Sequence, residues 1–286
     1  MQQMQTVKTN GIQLAYQDFP ALDNSDRTLV LMHGLSANAH IFDGLIKAGL
    51  NRTMRVILPD LRGRGQSDKP DGGYAMHDHA TDLVGLLDAL GLDEAIIGGH
   101  SFGGLVTMYT GANYPDRVQK MVILDSGLLQ PNVREIIKSS LDRLGMTYDS
   151  FDAYLETIKS APYFAGGNWH DDMVSYYRAD VKELDNGQVT PRANPHAIEE
   201  AAVRGLEEDW PALMAQADQP AILLHAAEPF TPGGPSVLKT EDARQTADLL
   251  QNCQFKIVPG HHLTMLFGAN AGTLVDAITQ FVMLNA

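Results

Sequence analysis

The sequence predicts an α/β protein, a mostly parallel, doubly wound sheet with an inserted α-helical cap. Three observations carry that expectation. Short apolar runs bounded by turn residues alternate with helical periodicities, the pattern of a largely parallel sheet covered by helices. The alternation stops after Leu124 and resumes at Ala221, although a direct helical crossover takes only about a dozen residues. The stretch Gly98–Leu105, GGHSFGGL, sets four glycines around one serine where an apolar run meets a helical pattern.

Taken in order, strands are expected at Ile12–Asp18, Thr28–Met32, Arg55–Leu58, Ala95–Gly99, Lys120–Leu124, Ala221–His225 and Gln254–Val258. His79–Leu90 places Leu83, Leu86, Leu87 and Leu90 on one helical face, with Gly91 as its stop. After Leu124, Val133, Ile136, Ile137, Leu141 and Leu144 recur at helical spacing, as do Phe151, Tyr154, Leu155 and Ile158. Met173–Leu184 and Pro195–Ala215 also read as helical, giving a cap of about four helices. A chain of 286 residues suits one large domain with an inserted subdomain. Residues 1–126 and 218–286 are the expected core, and 127–217 the cap, lying over the sheet edge where doubly wound folds bind ligands.

Composition narrows the function classes. Acidic residues outnumber basic ones 35 to 21, for a formal charge of −14. That balance argues against nucleic acid or an anionic membrane as a partner and fits a solubilising surface. The single cysteine, Cys253, excludes an intrachain disulfide and fits a reducing compartment. The start, MQQMQTVKTNGIQLAYQDF, lacks a basic-then-apolar signal pattern, and no window resembles a spanning helix. The cytoplasm is the expected location.

Gly99-His100-Ser101-Phe102-Gly103 is a G-x-S-x-G match placed after the apolar run AIIGG and before the helical pattern LVTMYTGANY. A serine at a sharp strand-to-helix turn needs strained backbone angles, and glycines two residues to either side keep side chains from colliding there. The turn exposes the hydroxyl, and the helix that follows aims free N–H groups and its positive dipole end at the same place.

On these residues the chain resembles the α/β-hydrolase family, and the resemblance spans the core on both sides of the insertion. Three further stretches support it: His33-Gly34, Asp60-Leu61-Arg62-Gly63-Arg64-Gly65-Gln66-Ser67, and Pro259-Gly260-His261-His262. The resemblance implies an oxyanion hole made by the backbone N–H groups of Leu35 and Phe102, with Ser101 as nucleophile. His33 is expected to shape its loop, and Arg62 to pair internally.

A serine hydroxyl needs a base to remove its proton, and imidazole suits that task near neutral pH. His262 matches the family's base position, with its neighbour His261 as the rival. His100 is expected to point elsewhere across the turn, and His225 to lie at a strand end. His77 and His79, in HDHATD, are expected at a solvated helix start. They lack a companion His/Cys cluster, so no metal is expected.

The acid that orients the base is expected between Ser101 and His262 in the chain. Most of the family carries it after the strand that follows the cap, where this sequence has Ala226-Ala227-Glu228-Pro229. Some relatives, including a group of haloalkane dehalogenases, place it after the strand next to the nucleophile helix, which here means Asp125. Asp125 is preferred, with Glu228 as the alternative.

These residues point to a serine hydrolase acting on a carboxylic ester or lactone, with a small acyl molecule as partner and no cofactor. Tyr163, Phe164, Trp169, Tyr176, Tyr177, Trp210 and Met265 are the candidate pocket residues. Hydrolysis of a carbon–carbon bond next to a ketone, and a non-catalytic small-ligand receptor, are the alternatives.

Overall fold

The computed structural model describes residues 3–284 apart from 129 and 131. In chain order the strands are β1 (Gln5–Thr9), β2 (Ile12–Phe19), β3 (Thr28–Met32), β4 (Arg55–Pro59), β5 (Ala95–His100), β6 (Val118–Leu124), β7 (Val181–Glu183), β8 (Val189–Pro191), β9 (Ala221–Ala226) and β10 (Cys253–Val258). Eight of them form one sheet in the order β1-β2-β4-β3-β5-β6-β9-β10. Pairing is antiparallel at β1/β2 and β2/β4 and parallel across the rest.

Parallel strands covered by helices on both faces read as unbroken apolar runs, and successive side chains point to opposite faces. Leu29 and Leu31 of β3 therefore join one buried cluster with Val56, Leu58, Ile222 and Leu224. Val30 and Met32 join a second cluster with Ile57, Ile97, Met121 and Leu223. β1 was not expected from the sequence. It is an edge strand whose QTVKT residues are mostly exposed, so it carries no apolar run.

The main helices are α1 (Asp43–Lys47), α2 (Met76–Ala89), α3 (Phe102–Asn113), α4 (Val133–Ile136), α5 (Lys138–Leu141), α6 (Phe151–Lys159), α7 (Met173–Asp180), α8 (Pro195–Leu206), α9 (Trp210–Gln216), α10 (Thr240–Leu249) and α11 (Gly268–Met283). None among the described residues is long and apolar enough to cross a membrane. α2 starts earlier than the apolar periodicity suggests because the Asp78 carboxylate accepts the Ala75 N–H at 3.0 Å. Gly91, at φ 68°, turns the chain away behind it.

Between β6 and β9 the insertion is more broken than its four expected helices. The first periodic stretch divides into α4 and α5. Met173–Leu184 stops as a helix at Asp180, and its last residues form β7, paired with β8 in a small antiparallel sheet. The stretch at 195–215 divides into α8 and α9 because Asp209 caps a new helix, accepting the Ala212 N–H at 3.2 Å, with a proline in its first turn. The insertion feeds both clusters: Tyr154 and Tyr177 join the first, Ala197 and Met214 the second.

Candidate active site

The chain leaves β3 toward β4 on one side and β5 toward β6 on the other, so the strand order switches between β3 and β5. Crevices at the carboxyl ends of strands beside such a switch are where doubly wound sheets bind ligands. β3 ends in Met32, followed by His33-Gly34-Leu35. β5 ends in His100, followed by Ser101.

Ser101 adopts φ 54°, ψ −119°, a strained conformation for a residue with a side chain. The turn closes because its flanks are bare. A Cβ on Gly99 would sit 2.1 Å from the Gly103 carbonyl carbon, and one on Gly103 would sit 2.1 Å from the Met32 oxygen. The second distance also shows how tightly α3 is seated against the end of β3.

Asp125 follows β6 and is buried, again at a positive φ, 45°. Its Oδ2 accepts from His262 Nδ1 at 2.6 Å. Its Oδ1 accepts from His225 Nδ1 at 2.9 Å and from the Ala226 N–H at 3.0 Å. Burial alone would raise the carboxyl's pKa, but the two imidazole donors outweigh it and hold the group well below the usual carboxylate range. His225 is fixed in turn by the Thr240 hydroxyl, which donates to its Nε2 at 3.0 Å.

Glu228, the alternative acid, is exposed and accepts the Gly260 N–H at 2.9 Å. It therefore braces the turn that precedes His262, while Asp125 touches the ring itself. His261 is turned toward the insertion: its Nε2 donates to the Tyr163 carbonyl at 3.0 Å, and its Nδ1 accepts the Leu263 N–H at 3.2 Å. Burial, with His262 alongside, lowers its pKa to about 4.

Two histidines differ from expectation, and a third has a role the sequence did not show. His100 does not point away: its ring lies 4.5 Å from that of His262, and its Nε2 donates to the His262 carbonyl at 2.7 Å. Burial lowers its pKa to about 3, so the ring is neutral. His225 lies near the end of β9 as expected, and from there it also grips Asp125. His79 is buried rather than solvated, because α2 turns that face inward and leaves His77 outside. His33 behaves as expected of a loop-shaping residue, accepting the Leu61 N–H at 2.9 Å and donating to the Gly34 carbonyl at 2.8 Å. Arg62 is paired internally with Asp82, both its bonds at 2.6 Å.

Leu35, in the loop after β3, and Phe102, at the start of α3, both line the first cavity beside Ser101. Phe102 opens α3, so its N–H has no acceptor within the helix. The first accepting role in that turn belongs to the Ser101 carbonyl, which takes the Gly104 and Leu105 N–H groups.

Two cavities meet at this point, each lined by Leu35, Ser101 and His262. The first is walled by Phe102, Leu105, Val133, Ile137, Ala201 and Leu238. The second is more polar and carries Ser36, Ser140, Arg143, Tyr163, Tyr176 and Tyr177. Phe164, Trp169, Trp210 and Met265 line neither of these two. Phe164 and Trp169 pack on Tyr177, Met265 is fully buried in the core, and Trp210 points its Nε1 into the Gly205 carbonyl at 2.7 Å. Aromatic character marked Phe164, Trp169 and Trp210 in the sequence, but it does not distinguish a wall from a core. Arg143 and Val133 carried no such mark.

Over residues 27–227 the chain matches the family model described as alpha/beta hydrolase fold. It is 26% identical over 259 residues to the 2-(acetamidomethylene)succinate hydrolase of Mesorhizobium japonicum, across 89% of this chain and 87% of that protein. A crystal structure of E-2-(acetamidomethylene)succinate hydrolase superposes with a TM-score of 0.84 at 23% identity, covering 99% of both chains. A thermophilic esterase from Thermogutta terrifontis superposes with a TM-score of 0.70 at 21% identity, covering 98% of each. At such identities these two superpositions speak for the fold alone.

Proposed function

Because the chain belongs to the α/β-hydrolase family, we propose that it is a serine hydrolase cleaving a carboxylic ester or lactone through an acyl-enzyme intermediate. Ser101 is the nucleophile, His262 the base and Asp125 the acid. The observation that carries this is the 2.6 Å contact between Asp125 and His262 Nδ1. With Nδ1 donating to the carboxylate, Nε2 is the basic nitrogen, on a ring that lines the same two cavities as Ser101.

In the acylation step Ser101 Oγ attacks the carbonyl carbon while His262 Nε2 takes its proton. The ring then protonates the departing oxygen, which stays on the acyl chain if the substrate is a lactone. Water repeats the sequence: it gives a proton to His262, attacks the acyl carbon and releases Ser101 with the carboxylic acid. The amides of Leu35 and Phe102 receive the oxyanion, and one such donor is worth roughly 3 kcal/mol in the transition state. No step calls for a cofactor, a nucleic acid or a membrane surface. Residues 127–217 serve as the cap over a core of 1–126 and 218–286.

The substrate is a small acyl molecule with little or no charge. Arg134, lining the first cavity, pairs with Glu199, and among the described residues the one arginine or lysine lining the second, Arg143, is held by Asp180 through two bonds of 2.8 and 3.1 Å. Burial disfavours that guanidinium's charge, but Asp180 opposite more than offsets it. A substrate carboxylate would lose its hydration there and gain no free cation in return. The first cavity takes the hydrocarbon arm.

A panel of p-nitrophenyl esters and lactones of graded chain length, with Ser101→Ala as blank, tests the reading. A fluorophosphonate should label Ser101 and lose labelling in that variant. A folded protein that never labels would point instead to a small-ligand receptor. One observation favours carbon–carbon hydrolysis as a second reading: Arg143 and Tyr176 give the second cavity a polar wall able to hold a ketone or enol oxygen. Turnover of a vinylogous 1,5-diketone with no turnover of esters would select it.

A further inference from the structure

Behind the two candidate amide donors lies a buried cation without an anion. Arg64 is 0% exposed. Its Nε donates to the Leu35 carbonyl at 2.8 Å and its Nη1 to the Arg62 carbonyl at 2.7 Å, while Nη2 is buried without an acceptor. The guanidinium carbon stands 5.5 Å from the centre of the Phe102 ring and 5.9 Å from that of Tyr74. Among the described residues no carboxylate pairs with it. Asp82 is taken by Arg62, and Asp60 accepts the backbone amides of Ala39 and Gln66. Burial lowers the Arg64 pKa to about 9, which leaves the group cationic at neutral pH.

An unpaired buried charge is costly to a fold, and here a remedy lies close by. His79 is 1% exposed, has both ring nitrogens unpartnered, and meets Phe102 edge-on at 5.1 Å. Burial first, and then the Arg64 charge, hold its pKa well below normal. A carboxylate at that position would offset the guanidinium's charge through the same electrostatic coupling. A histidine leaves the charge standing.

We infer that Arg64 is a positioning residue for the oxyanion hole: it fixes the Leu35 loop and keeps an uncompensated positive charge beneath the Leu35 and Phe102 amides, favouring the tetrahedral oxyanion over the neutral carbonyl. The inference rests on reading those amides as the oxyanion donors. Arg143 supplies the contrast. It reaches from the insertion to grip the next carbonyl, Ser36, at 2.7 Å, but its charge is neutralised by Asp180. It holds the loop without adding to the field.

The test is His79→Glu, which supplies the missing counter-ion and leaves Arg64 in place. The expected result is a raised thermal midpoint together with kcat for a p-nitrophenyl ester lowered about ten-fold at nearly unchanged KM. Affinity for an alkyl boronate, which forms a tetrahedral adduct on the serine, should fall by the same factor. A merely structural arginine would give the stability without the loss, so a folded variant with kcat and boronate affinity within two-fold of wild type overturns the inference. If His79→Glu does not fold, Arg64→Lys and Arg64→Gln decide. A kcat kept within about three-fold in the lysine variant and lowered ten-fold in the glutamine variant supports the role of charge, and equal losses reject it. Wild-type turnover and labelling at Ser101 are measured in parallel. Their absence sinks the serine-hydrolase reading, whereas their presence with unaltered variants sinks only the role of Arg64.

Discussion

The ends of two adjacent strands, β6 and β9, each carry a carboxylate close to His262, and the two have opposite surroundings. Asp125 is buried and accepts from two imidazoles and an amide. Glu228 is exposed and accepts from one amide in a turn. The difference comes from depth. Asp125 is the next residue after β6, and its N–H continues the ladder to the Leu224 carbonyl at 2.9 Å, so it stays inside the sheet's edge. Glu228 lies two residues past the end of β9, where the chain has already left the ladder. A carboxylate oriented by a fixed frame can hold an imidazole in one tautomer. One on a solvated turn holds the turn.

The sharpest way to break that comparison is to neutralise each side in turn. Asp125→Asn keeps the shape but removes the charge, and it is expected to lower kcat about 10⁴-fold, the loss typical when the oriented acid of such a triad is made an amide. Steady-state turnover of the best ester in the panel measures it. A loss under about ten-fold in a folded Asp125→Asn would return Glu228 to candidacy.

Acid is expected to act next, through groups beyond either end. His33 after β3, His100 at the end of β5 and His261 after β10 are held neutral by burial, with pKa values lowered to about 4, 3 and 4. Their unfolded forms take up protons below about pH 6.5. Each depressed group therefore contributes stability that is complete above pH 6.5 and is lost as pH falls toward its folded value. Urea midpoints should decline from about pH 6.5 downward, as the unfolding free energy falls by roughly 1.4 kcal/mol per pH unit for each histidine still neutral in the fold. Asp125 adds to the decline only below about pH 4, since its carboxyl is also depressed. A midpoint flat between pH 6.5 and 5 would contradict the burial of those rings.

Much of the core was legible in the sequence because it obeys local rules. Strands covered on both faces must be apolar throughout, and an elbow serine must have bare flanks, so β3, β5 and Ser101 announce themselves. β1 did not, since an edge strand with one wet face needs no apolar run. Residues whose role depends on partners distant in the chain were hidden. His225 sits a hundred positions from Asp125 and meets it only through the β6/β9 pairing. Arg64 reads as one basic residue in a Gly-rich turn until its burial is known. The insertion was misread where capping decided the outcome, as at Asp209, since periodicity continues through a break that a single side-chain bond creates.

His225 offers a smaller, more selective perturbation of the β6 end. Its Nδ1 donor is one of three on Asp125, so His225→Phe should cost about ten-fold in kcat by letting the carboxylate swing, with KM little changed. His225→Asn can present an amide N–H from nearly the same place and should recover most of the rate. Equal loss in both would mean that the imidazole contributes bulk rather than a hydrogen bond.

The smallest effect is expected at the β9 end. Glu228→Gln keeps an oxygen that can accept from the Gly260 N–H, so the turn before His262 should hold and kcat should stay within about two-fold. Glu228→Ala removes the acceptor, but the site is exposed and water can replace it, which limits the stability cost to about 1 kcal/mol. The pair discriminates between two ways of acting on His262. If Glu228 served through its charge, Gln would be as damaging as Ala. If it only braces the turn, Ala should lower the thermal midpoint slightly and Gln should not. A large kcat loss in Glu228→Gln, with Asp125→Asn nearly active, would reverse the assignment of the two strand ends.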